Sequence, residues 1–182
     1  KSLKAEFGDI ISAEAQSLIA ISDASTEGEE ASGEDLKKLA EDLPIVRIVD
    51  TLIKHAVVQE ASDIHIEPMD KQLLVRYRID GLLHDAMTLP KQAASGISAR
   101  IKVLSNLKLD EKRLPQDGRF KIDLDGEKVS FRVSTLPIYY GEKIVMRILR
   151  ETASGSGFTL ESLGFHGEAL EALHWSTKQA TG

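Results

Sequence analysis

The sequence predicts an α+β fold, on three observations. Ile45, Ile48, Val49, Leu52, Ile53, Ala56 and Val57 recur at three- and four-residue spacing, as on a helix with one apolar face. Ile64 and Ile66, then Leu73, Val75, Tyr77 and Ile79, alternate with polar neighbours, as strands with one buried face do. Asp80-Gly81 and Asp125-Gly126 supply the positive φ angles that tight hairpin turns require.

The elements follow in order. Pro44 suits the first turn of the opening helix, where its missing N–H costs nothing, and the helix should end near Glu60. Strands are expected at Asp63–Glu67, Leu73–Ile79 and Leu82–Thr88. Pro90 and Gln92 open a second helix that carries Ala94, Ile97, Ile101 and Leu104. Leu109–Arg119 is dense in charge and reads as a loop ending in turn residues. A second hairpin joins Phe120–Leu124 to Lys128–Thr135, and a loop at Pro137–Glu142 leads to a last strand, Lys143–Leu149. About six strands with flanking helices thus fill residues 44–150, a common domain size.

The flanks read differently. Residues 1–43 are expected to be a helical tail, with Ile10, Ile11, Leu18 and Ile19, followed by an acidic flexible linker centred on Asp23–Gly33. Folded sequence should begin near Asp42. The small residues of Thr152–Gly157 read as a hinge within a linker at 151–158. Ser162–Leu173 restarts a helical pattern within residues 159–182, a stretch too short to be a domain and expected to open a larger one.

Composition narrows the class. Apolar residues at 42% and charged residues at 29% describe an ordinary globular chain rather than a disordered one. No apolar run approaches the roughly 18 residues that span a bilayer, and Lys1–Ile21 lacks the continuous apolar block of a signal peptide. A cytoplasmic protein is therefore expected. With no cysteine, the chain has neither a disulfide framework nor a Cys-ligated metal. Eight of the 29 acids and two of the 23 bases fall within residues 23–42, leaving 21 of each elsewhere. The net charge of −6 thus belongs to one segment.

Several side-chain groups could carry chemistry. Asp63, His65 and Glu67 share one strand face and could bind a metal, but Arg76 and Arg78 can share that face and pair with them. The charge-paired face is the reading adopted, and no metal site is expected. Arg100, Lys102, Lys108, Lys112, Arg113, Arg119 and Lys121 are loosely basic, interrupted by Asp110, Glu111 and Asp117 and nearly free of aromatics. Such a stretch suits a protein contact better than a nucleic acid. Val129, Phe131, Val133 and Thr135 should face the core, and Ser130, Arg132 and Ser134 the outside. Arg147 points away from Ile144, Met146 and Ile148, so Arg132 and Arg147 can project from one sheet face if their strands pair. Two solvated surface arginines would satisfy that pattern, and so would an anion clamp, because a guanidinium donates two parallel bonds to phosphate. There is no Gly-x-x-x-x-Gly-Lys-Ser/Thr, hence no P-loop, and no catalytic triad or carboxylate pair.

Six phrases in fixed order carry a resemblance. They are Ala61–Pro68 (ASDIHIEP), Arg76–Gly81 (RYRIDG), Ala99–Val103 (ARIKV), Glu111–Arg119 (EKRLPQDGR), Arg132–Pro137 (RVSTLP) and Gly141–Leu149 (GEKIVMRIL). Across residues 44–182 the chain resembles the secretion ATPases GspE, of type II secretion, and PilB, of type IV pilus extension. The resemblance implies that residues 44–150 are a PAS-like second N-terminal domain, joined through 151–158 to the beginning of a RecA-like ATPase domain at 159–182. Walker A, the acidic boxes and the Mg²⁺ ligands would then lie beyond Gly182, so ATP and Mg²⁺ would be bound mainly there and these residues alone would not hydrolyse ATP.

By the same resemblance, Arg132 and Arg147 match arginines that reach the γ-phosphate of ATP. Leu163, Gly164 and Phe165 match a segment near the adenine pocket. Arg113, Gln116, Asp117 and Arg119 would sit between neighbouring subunits of a homohexamer. The partner would be an inner-membrane platform protein, with the ATPase cytoplasmic and peripheral to that membrane, and with no nucleic acid bound directly. A PAS-like sensor or adaptor for a small ligand or protein is the rival reading.

Overall fold

A computed structural model describes residues 33–124, 126–150 and 159–179. The chain divides into two compact units, with the division after Arg150.

The first unit begins with helix α1 (Gly33–Glu41) and helix α2 (Leu43–Val58). Strands β1 (Asp63–Pro68), β2 (Gln72–Ile79) and β3 (Leu82–Pro90) follow. Helix α3 (Ala93–Leu104) leads to β4 (Gln116–Leu124), β5 (Glu127–Ile138) and β6 (Gly141–Arg150). The six strands form one sheet in the order β3-β2-β1-β6-β5-β4, antiparallel at every pairing. This is the expected α+β class, six strands with flanking helices.

Alternation sorts the sheet into two faces. Ile64, Ile66, Leu73, Val75, Tyr77, Val129, Phe131, Val133, Ile144 and Met146 are buried beneath the apolar side of α2 and the Ala93, Ile97 and Ile101 side of α3. Phe120 and Phe131 stack across β4 and β5 at 4.8 Å. The Tyr77 hydroxyl donates to the Leu52 carbonyl at 2.9 Å, tying β2 to α2 while satisfying a buried polar group. Gly96 lets α3 approach α2: a Cβ there would lie 2.8 Å from Ile45 Cδ1. The hairpin at Asp80-Gly81 has φ of +50° and +81°, the primed turn its sequence requires.

Three differences from the sequence reading have physical causes. Helix α1 lies ahead of the expected start near Asp42; Leu36 and Ala40 pack against Ala99, with Val103 and Leu109 beside them. Strand β4 starts at Gln116 rather than Phe120, so Asp117-Gly118 is strand and not turn. Gly118 is required there by a close approach, since a Cβ would meet the Ser105 carbonyl oxygen at 2.7 Å. Strands β5 and β6 run through the expected Pro137–Glu142 loop, leaving only Tyr139 and Tyr140 between them. Strand β4 pairs with β5 no further than Thr135, so Pro137 lies in an edge segment, where a missing N–H is tolerated.

In the second unit, turns at residues 160–164 precede helix α4 (Gly167–Thr177). The tail at 1–32 and the linker at 151–158 lie outside the described residues. Among the described residues, no helix is long and apolar enough to cross a membrane.

Candidate functional site

The outward face of the sheet is built of cross-strand rows, because every residue on it is fixed by register. One row reads Arg119 on β4, Arg132 on β5, Arg147 on β6, Asp63 on β1 and Arg78 on β2. Arg132 and Arg147 are therefore directly opposed and project from the same face, as their alternation required.

Asp63 organises one end of this row. Its carboxylate is 8% exposed and accepts from Ser62 Oγ at 2.9 Å and Arg147 Nε at 3.1 Å, with Arg78 Nε 3.3 Å away. Burial pushes the Asp63 carboxyl up, but the hydrogen bonds from Ser62 and Arg147 and the charges of Arg147 and Arg78 outweigh it and hold the group below its usual range. Arg147 is anchored at Nε while its side chain stays 67% exposed. Arg132 and Arg119 are exposed, and among the described residues neither guanidinium has a partner. Like charges directly opposed across strands repel, and the nearest acid on β4, Asp117, accepts instead from Ser134 Oγ. The row thus gathers uncompensated positive charge suited to an anion with several oxygens.

Cations surround the Asp63, His65 and Glu67 trio. Glu67 accepts two 2.8 Å bonds from Arg76 and lies 2.7 Å from Lys143 Nζ. Burial raises the Glu67 carboxyl, and the hydrogen bonds from Arg76 and Lys143 overcome that and lower it. His65 Nδ1 is 3.8 Å from Glu67; burial, reinforced by the charge of Lys143, lowers the imidazole and favours its neutral form. Both carboxylates are committed to cations, and among the described residues no group of three such side chains could hold a metal.

The expected interface residues divide into two kinds. Gln116 is used inside the domain: its Oε1 accepts from the Lys108 N–H at 2.9 Å, and its Nε2 donates to the carbonyls of Lys108 and Glu111 at 3.0 Å. Asp117 is engaged with Ser134. Arg113 and Arg119 are exposed, with side chains that lack a partner among the described residues. In the second unit, Leu163 and Phe165 are exposed and Gly164 has φ +89°. Their backbone N–H groups donate to Thr159, Leu160 and Glu161 carbonyls, fixing a tight turn.

Sequence reasoning missed one charged residue altogether. Lys102, grouped above with a surface basic stretch, is 1% exposed. Its ammonium donates to the Glu111 carbonyl at 2.8 Å and forms an ion pair with Glu142, joining α3 to the following loop and to β6. The only local signal was that Lys102 directly follows a core position, Ile101.

The family described as type II/IV secretion system protein matches residues 38–182. The chain is 38% identical to the type II secretion system protein E of Xanthomonas campestris over 94% of this chain and 32% of that protein. It is 41% identical to the type IV pilus assembly ATPase PilB of Pseudomonas aeruginosa, over 85% of this chain and 27% of that one. It is 40% identical to the type II secretion system ATPase E of Vibrio cholerae, over 72% and 26%. The chain therefore spans between a quarter and a third of the length of these relatives. On the family match and these identities, the chain belongs to the type II/IV secretion system protein family.

Proposed function

We propose that this chain is the regulatory N-terminal part of a hexameric ATPase that powers type II protein secretion or type IV pilus assembly. Residues 44–150 are its PAS-like domain, and residues 159–182 begin its RecA-like domain. ATP and Mg²⁺ are held mainly by further ATPase sequence. The observation that carries the reading is the direct opposition of Arg132 and Arg147 on one face, with the Asp63 carboxylate bonded to Arg147. Guanidinium groups so arranged fit phosphate oxygens, while the nearby carboxylates of Glu67 and Asp63 are paired with Arg76 and Arg78. ATP supplies the phosphoryl group whose charge the arginines neutralise.

In this reading, Arg132 and Arg147 sense the γ-phosphate and favour a closed arrangement of two domains, which is lost after hydrolysis. Rotation around the six-membered ring works on an inner-membrane platform protein, with the ATPase cytoplasmic and peripheral to that membrane. Leu163, Gly164 and Phe165 lie near the adenine. The test is ATP turnover in the longer protein. Arg147→Ala should lower it by about 10³-fold, as loss of an arginine finger does. Unchanged turnover would remove the clamp.

A ligand or partner module is the alternative. One observation favours it, an open groove of about 690 Å³ whose lining includes Leu36, Lys91, Ser98, Tyr139, Tyr140 and Glu142. It is an open groove of mixed polar and apolar lining, as a partner surface is, rather than the internal apolar pocket that a small-molecule sensor would use.

A further inference from the structure

We infer that Arg119 is a third phosphate-binding residue in the same row as Arg132 and Arg147, and that the three together recognise a polyphosphate rather than a single phosphoryl group. The inference rests on the proposed function and extends it to a residue assigned above only to a subunit interface.

Arg119 pairs with Arg132, and Arg132 pairs with Arg147, so the three side chains leave one face in line. Strands are spaced about 4.8 Å apart, so the row spans about 10 Å, enough for adjacent phosphoryl groups. The row is built on paired strands rather than a loop, and Gly118 seats β4 tightly beneath Ser105 and Leu107 immediately before Arg119. Position is therefore fixed while the guanidinium remains exposed and without a partner among the described residues.

Charge makes the same point. An ordinary exposed strand would set an acid opposite Arg132, because opposed like charges are unfavourable. Here arginine stands on both sides of it. Asp63 compensates only the Arg147 end, where it also serves Arg78. Asp117, two residues from Arg119 on the same strand face, bonds to Ser134. A bound polyanion would relieve this repulsion along the whole row.

The test titrates this chain with inorganic tripolyphosphate and follows the arginine side-chain N–H resonances. The wild-type chain, Arg119→Gln, Arg132→Gln and Arg113→Gln are compared, with sedimentation run on each. Arg119→Gln and Arg132→Gln should each weaken tripolyphosphate binding about tenfold, the loss of a charge-assisted contact, while Arg113→Gln leaves it unchanged. If Arg132→Gln weakens binding and Arg119→Gln does not, the Arg119 assignment is wrong and the two-arginine clamp survives. If neither variant changes the affinity, or the wild-type chain does not bind, both fall. A change in self-association for Arg119→Gln with unchanged affinity would return Arg119 to a subunit contact and overturn the inference.

Discussion

Asp63 holds Arg147 by a single 3.1 Å bond at Nε, and the two terminal nitrogens of that guanidinium make no hydrogen bond among the described residues. An arginine held this way is oriented without being used up. Asp63→Asn removes the charge but nearly keeps the shape. We expect it to cost about 1.5–3 kcal/mol of stability, the worth of hydrogen bonds to a charged group. It should also broaden the Arg147 side-chain resonance. Urea unfolding together with side-chain NMR checks both.

Acid should weaken the domain through Asp63 and Glu67. Both carboxyls are lowered in the folded state, so their stabilisation is complete above the unfolded values near 4. It is lost as pH falls through the folded values. The urea midpoint should therefore drop below about pH 4, and the Asp63→Asn/Glu67→Gln double variant should show a flatter profile. A profile as steep as wild type would assign the loss to other groups.

His65 adds a second window at higher pH. Its imidazole is lowered on folding, so the unfolded chain binds the extra proton first as pH falls. Stability should therefore decline below about pH 6.5, until the folded imidazole titrates as well. His65→Gln should remove that part of the decline and leave the acid limb intact, as read by melting temperature between pH 5 and 7.5.

Lys102 should behave as a buried charge with a partner. Lys102→Met leaves the half-buried Glu142 unpaired and is expected to cost about 3–5 kcal/mol. Adding Glu142→Gln should restore a large part of that, because the uncompensated charge is gone. Equal losses in the single and double variants would mean that the ion pair is not the source.

Two glycines should respond differently to Ala. At Gly118 the new methyl meets a backbone carbonyl oxygen at 2.7 Å, which cannot move without shifting the end of α3. A loss of about 1–3 kcal/mol is expected. At Gly96 it meets the far end of the flexible Ile45 side chain, and Ala also favours the helix by about 1 kcal/mol, so the net change should be small. Thermal melts of the two variants provide the comparison.

Much of this fold was legible because periodicity and turn chemistry agreed. The apolar stripe of α2, the alternation of β2 and the Asp80-Gly81 turn each had one reading. Helix α1 was not legible, since Glu34, Asp35 and Glu41 dominate the segment and its apolar residues, Leu36 and Ala40, gain meaning only from Ala99 on α3. The start of β4 was hidden because Asp117-Gly118 carries turn chemistry, and the reason for the glycine is Ser105, distant in sequence. Alternation put Arg132 and Arg147 on one face, provided that their strands pair. It could not bring Arg119 opposite Arg132, because that pairing depends on where β4 begins. The burial of Lys102 depends on Glu142, 40 residues later, and no local pattern announces such a partner.

The central claim is that Arg132 and Arg147 meet the γ-phosphate. Its most direct test is nucleotide affinity in the longer protein, comparing ADP with a non-hydrolysable ATP analogue for wild type and Arg132→Ala. The analogue should bind about tenfold more weakly in the variant while ADP binding stays the same. Equal weakening of both nucleotides, or no change in either, would contradict it.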